Sequence, residues 1–157
     1  MATDINYGPT NAIRQQKGMG PEAPDKSVTD ILRDYFNNGN TQEPNFPTFL
    51  TKIVMVLRDE NKRLAKVGNT LFLLNNMGDG IVEVHTVTSE NPNGFSKSLQ
   101  GLAKLLKAQG LKKMVTYADR PAYVEIAKRT GMPWKISQTT RVVGEQAKPS
   151  YSFELEL

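Results

Sequence analysis

Residues 81–118 read IVEVHTVTSENPNGFSKSLQGLAKLLKAQGLKKMVTYA, and the period of their apolar residues changes twice. Ile81–Thr88 is β-branched at most positions, which suits a half-buried strand. From Gly94 to about Gln109, residues Phe95, Leu99, Leu102 and Leu106 fall on one face at helical spacing, and Gly110 supplies a C-terminal stop. Lys113–Ala118 returns to a strand. A strand, a helix and a second strand make a crossover unit, which sets the two strands parallel and, by the general rule of hand, crosses over to the right. The fold is therefore expected to grow around a central β-α-β unit.

Upstream, Ser27 is placed to cap a first helix, with Asp30 at its third position, and Val28, Ile31, Leu32, Tyr35 and Phe36 share one face. After a loop with Pro44 and Pro47, the spacing predicts a second helix from about Thr48 to Ala65. Its inward residues are Phe49, Leu50, Ile53, Val56, Leu57 and Leu64. Thr70–Asn75 reads as a short strand. Met77-Gly78-Asp79-Gly80 is turn chemistry, so this strand and Ile81–Thr88 form an antiparallel hairpin. Downstream, Asp119 is a candidate N-cap for a helix running through Thr130. A strand starts at Ile136, Gly144–Pro149 is a turn, and Tyr151, Phe153, Leu155 and Leu157 alternate with polar residues in a last strand. The sum is a mixed α+β fold, two N-terminal helices followed by a twisted mixed sheet.

Residues 1–26 are rich in Gly, Pro, Asn and charge and show no period, so they read as an extended arm. Residues 27–157 form the domain, helical over 27–65, with the core sheet and its helices over 66–157. The arm's few apolar residues, Ile5, Tyr7 and Ile13, suit a segment laid over another chain or another copy of this one.

Composition narrows the chemistry. The 157 residues include no cysteine and a single histidine, which excludes disulfides, thiol catalysis and His-rich metal centres. The net charge is +4, yet no basic run of five occurs, so Lys97, Lys104, Lys107, Lys112 and Lys113 read as a solvated face. No aromatic interleaving accompanies them, and nucleic acid is not an expected partner. No apolar stretch is long enough to span a bilayer, and the first residues lack a signal-peptide pattern.

Glu83, His85 and Val87 lie two apart on one strand and therefore share a face. They are either a solvent-facing pair or a proton-accepting pair, since imidazole exchanges a proton readily near neutral pH. The segment Asn91-Pro92-Asn93-Gly94-Phe95-Ser96 opens a helix, and backbone N–H groups at such a start attract anions.

In element order and at three places this sequence resembles the GNAT family of acetyltransferases. The places are the strand 81–88 running into Gly94 and Ser96, the helix closed by Gly131-Met132, and the terminal antiparallel pair. The likeness covers about Lys66 to Leu157. It implies acetyl-CoA as cofactor, held at Asn91, Gly94, Phe95, Ser96 and Lys97, and Glu83 and His85 as catalytic residues if the chain is an enzyme. The departures are specific. Asn91 stands where the family has Arg or Gln, Ser96 where it has a second Gly or Ala, and Ala127 where it often has a tyrosine general acid. Tyr117 and Tyr123 are the phenols nearest to that position, and neither matches it.

The segments KVGNTLFLLNN, GDGIVEVHTVTSE and RTGMPWKISQTT are moreover similar to small acetyltransferase-like proteins of tailed bacteriophages. That likeness implies a virion or host-cytoplasm location. It also implies a non-catalytic assembly role, with residues 1–26 contacting other virion proteins or other copies. The alternative is an active acetyl-CoA-dependent N-acetyltransferase.

Overall fold

A computed structural model describes residues 24–157, so most of the expected arm lies outside the described residues. Helix α1 (Val28–Asn37) starts at Ser27, whose Oγ accepts the Asp30 N–H at 3.1 Å. Helix α2 (Phe46–Val56) starts at Asn45 and ends earlier than its spacing predicts. Residues 57–61 form a turn, in which the Asp59 carboxylate accepts the Asn61 N–H at 2.9 Å. That bond and the Lys62 ammonium hold the Asp59 pKa below its ordinary value. Strand β1 (Lys62–Val67) then occupies what the sequence offered as the end of the helix. Leu57 and Leu64 are seven residues apart and fit helical spacing, but Leu64 faces inward because β1 pairs with β2 (Thr70–Gly78) from Lys62↔Asn75 to Val67↔Thr70.

β2 runs three residues beyond its expected end and pairs antiparallel with β3 (Ile81–Thr88). The turn between them holds Gly78, Asp79 and Gly80 all at positive φ. Helix α3 (Pro92–Ala108) begins with a proline, whose missing N–H costs nothing there. Strand β4 (Lys113–Ala118) follows, parallel to β3 as expected. Helix α4 (Ala122–Arg129) is led by Pro121, already at helical φ and ψ, and no side chain caps it. Asp119 is therefore not the N-cap, because the proline starts the helix two residues later. The last hairpin, β5 (Lys135–Val143) and β6 (Gln146–Glu156), turns on Gly144-Glu145 alone. The expected longer turn is replaced by strand through Pro149, which lies where β6 has β5 but not β4 beside it, as proline requires.

The sheet order is β1-β2-β3-β4-β6-β5. One face packs on α3 and α4 through Phe72, Val84, Leu102, Leu106, Met114 and Leu155. The other packs on α1 and α2 through Ile31, Leu32, Phe49 and Leu71. Two three-stranded halves meet at β3 and β4, and their joint is short. All six residues of β4 pair with β6, eight residues of β3 pair with β2, but only Ile81, Val82 and Glu83 pair with β4. Each strand is held to its own half, and beyond Glu83 the two part company.

Residues 24–26 are tied to the domain. Asn69 accepts the Lys26 N–H at 2.9 Å and donates to the Pro24 carbonyl at 3.0 Å, and the buried Lys66 ammonium meets Asp25 at 2.7 Å. Among the described residues no helix is long and apolar enough to cross a membrane.

Candidate functional site in the cleft between β3 and β4

Where β3 and β4 separate, a cavity of about 380 Å³ enters the sheet. Val84, His85 and Val87 line one side, Thr116, Tyr117 and Ala118 the other. The parting is bridged once, by the Thr116 hydroxyl donating to the Val84 carbonyl at 2.7 Å. A second, polar chamber of about 410 Å³ lies at the carboxyl ends of the two strands. It shares Tyr35, Thr86 and Tyr123 with the first and adds Thr88, Asp119 and Arg120. Openings at the carboxyl ends of parallel strands are where α/β sheets commonly take ligands.

Glu83, His85 and Val87 do share one face, on the α1 side of the sheet, where Val87 packs against the α1–α2 cluster. His85 reaches the cavity, and its Nε2 lies 3.1 Å from Oε1 of Glu83. The imidazole is half exposed, while Glu83 is largely covered. The pair therefore has an order that spacing alone does not give: His85 at the cavity, Glu83 behind it as the acceptor that orients the ring. Tyr117 stands on the same face beneath the Arg141 guanidinium, 4.4 Å from its ring centre.

The start of α3 is closely tied. Asn91 caps the helix, its Oδ1 accepting the Gly94 N–H at 2.8 Å and its carbonyl accepting the Phe95 N–H at 2.9 Å. An anion using the Gly94 N–H would have to displace that side chain. Phe95 is buried, lines the cavity and packs edge-on against Tyr123. Ser96 is buried in the helix and Lys97 is exposed. A Cβ at Gly94 would meet Glu90 and Asn91 only at ordinary contact distances of 3.4 and 3.5 Å, so the fold itself does not demand glycine there. Arg129, from α4, donates to Asn93 Oδ1 at 3.2 Å and brings a cation to the loop that position 91 lacks.

Beneath the loop, the Glu90 carboxylate accepts the Asn69 N–H, the Ser98 hydroxyl at 2.7 Å and the Thr70 hydroxyl at 3.1 Å. Gly68 makes room for this knot. It has φ of +60°, and a Cβ there would stand 2.5 Å from Ser98 Oγ and 2.6 Å from Glu90 Oε1.

Ala127 is buried against the cavity. Tyr123 sits one helical turn before it and so lies on the same side of α4. That four-residue offset is the signal by which sequence could have ranked Tyr123 above Tyr117. Tyr35, Asp119 and Arg120 were not expected at the site. Burial, the nearby Tyr123 and Asp119 raise the Tyr35 pKa above its ordinary 10.0, with Arg120 opposing, so its phenol keeps its proton at neutral pH. Among the described residues no cluster of His, Asp and Glu could hold a metal ion.

The arrangement of elements has close counterparts among solved structures. A mutant of the spermidine N-acetyltransferase SpeG from Vibrio cholerae superposes with a TM-score of 0.59 over 83% of this chain and 92% of that one, at 12% identity. A probable acetyltransferase of the GNAT family from Chromobacterium violaceum gives 0.59 over 74% of this chain and 70% of that one, at 14% identity. The fold is the GNAT fold. No protein-family model matches the sequence, and no curated protein matches it. At these identities the likeness is one of fold, and activity must be argued from the cleft.

Proposed function

We propose that this chain is an acetyl-CoA-dependent N-acetyltransferase whose donor enters the cleft between β3 and β4. The observation that carries this reading is the parting of the two strands after Glu83, which leaves a cavity through the sheet instead of a closed core. Its apolar lining and the unpaired β4-facing edge of β3 suit a narrow, amide-bearing arm such as pantetheine. Acetyl-CoA, when bound, supplies an activated thioester carbonyl. His85 accepts the proton that an amine must lose before it can attack, and Glu83 orients the imidazole and stabilises its charged form. Tyr35 keeps its phenolic proton at the cavity wall, Tyr123 lines that wall beside it, and Phe95 and Trp134 help keep water out. The two V. cholerae and C. violaceum neighbours support the same chemistry by fold alone.

Calorimetry of the full chain with acetyl-CoA, followed by turnover assays on a panel of primary amines, tests this. Micromolar binding is expected, with His85→Ala lowering kcat about 10²–10⁴-fold while CoA affinity is retained. Absence of CoA binding by the wild-type chain would sink the proposal.

A second reading is favoured by two specific observations. The Asn91 side chain occupies the Gly94 N–H, and Ala127 replaces the expected acid. On that reading the chain is a non-catalytic assembly protein of a tailed phage, contacting virion proteins or its own copies through residues 1–26. Its mark would be co-purification with particles that is lost on deleting residues 1–23, with the domain still folded and no CoA bound.

A further inference from the structure

The polar chamber at the carboxyl end of the cleft contains a cation that the fold leaves unused. Arg120 lines it and is exposed, and its guanidinium has no hydrogen-bond or ion-pair partner among the described residues. Around it stand the hydroxyls of Thr86 and Tyr35 and the amides of Asn40 and Gln42, able to donate to an oxyanion, while the Thr88 hydroxyl is committed to Thr70. Thr88 is the last residue of β3, so the chamber borders the loop that leads to α3.

Coenzyme A carries its thiol on an uncharged pantetheine arm and its phosphates beyond it. A donor whose arm lies in the cleft therefore needs positive charge near the mouth. The start of α3 supplies less: Asn91 is neutral and the Gly94 N–H is taken, while Arg129 keeps its charge but has one N–H on Asn93. We infer that Arg120 is the phosphate anchor of this site, binding the phosphate nearest the pantetheine arm from the α4 side of the cleft. Asp119 lines the same chamber and opposes a second negative charge in it, so one phosphate group sits there and the remainder lies outside. This inference rests on the acetyl-CoA reading above.

The test is calorimetry on the full chain with three probes, coenzyme A, 4′-phosphopantetheine and pantetheine, which share the arm and differ in phosphate. Arg120→Ala is expected to weaken both phosphorylated probes about ten- to a hundredfold, the range of a charge-assisted pair, and to leave pantetheine within about twofold. Arg120→Lys should recover part of the loss, since ammonium keeps the charge without the fork. The salt dependence of CoA binding should flatten in Arg120→Ala, and Arg129→Ala should lose no more than about threefold.

Unchanged CoA affinity in Arg120→Ala overturns the anchor and leaves the proposed function standing. An equal loss for pantetheine overturns it as well, because Arg120 would then only shape the chamber. A loss confined to the KM of carboxylate-bearing amines assigns Arg120 to the acceptor and also overturns it. A wild-type chain that binds none of the three probes overturns the proposed function and this inference together.

Discussion

The two helices that flank the cleft begin in opposite ways. At α3 the polar groups answer one another: Asn91 caps Gly94, Glu90 gathers Asn69, Thr70 and Ser98, and Arg129 meets Asn93. At α4 a proline starts the helix with no side-chain cap, and Asp119 and Arg120 are left facing a chamber. Buried or clefted polar groups that satisfy one another chiefly stabilise, whereas those left without partners call for a ligand. On the reading proposed above, the first region chiefly stabilises and the second recognises. That reading moves the phosphate contact away from the loop before α3, where the resemblance in sequence places it.

The harshest way to break this contrast is to remove Glu90. Glu90→Ala strands the Asn69 N–H and the Ser98 hydroxyl in a covered site, while Thr70 keeps Thr88, and is expected to cost roughly 2–4 kcal/mol, read by chemical denaturation. A cost under about 1 kcal/mol would mean the knot holds little. Asn91→Ala removes only the cap and should cost about 1 kcal/mol, with CoA affinity held or improved because the Gly94 N–H is freed. A large loss of CoA affinity in that variant would return Asn91 to the binding site.

Tyr35 gives a smaller effect, confined to alkaline pH. Its pKa is raised in the folded state, so its contribution is fully present below about pH 10 and is lost as pH rises through the folded value. Wild-type Tm should therefore fall more steeply than that of Tyr35→Phe as pH rises above about 10. Parallel curves would show that the burial of this phenol has no energetic consequence. At the other extreme, Asp119→Ala should change stability by no more than about 0.5 kcal/mol, because that carboxylate caps nothing. A loss beyond about 1 kcal/mol would contradict the assignment of this region to recognition.

Much of the fold is legible in the sequence, and the reasons are local. Ile81–Thr88 and Lys113–Ala118 declare themselves by composition and period, and the crossover rule makes them parallel neighbours. β1 does not declare itself, because Leu57 and Leu64 continue a helical spacing and only pairing with β2 makes Lys62–Val67 a strand. The site divides in the same manner. The Glu83–His85 face follows from period 2, while the order of the two residues depends on where the sheet splits. The polar chamber joins residues 39–42, 86–88 and 119–123. Its Arg120 carries no sequence signal, since nothing in the neighbouring residues says which loops will meet there.

The most direct test of the central claim, that the donor occupies the parting of β3 and β4, is amide hydrogen exchange with and without acetyl-CoA. The cleft account predicts slowed exchange in residues 84–88 and 116–118, with smaller changes at Gly94 and Phe95, whose N–H groups already have partners. Protection confined to residues 91–97, or none at all in 84–88 and 116–118 at saturating ligand, would contradict it.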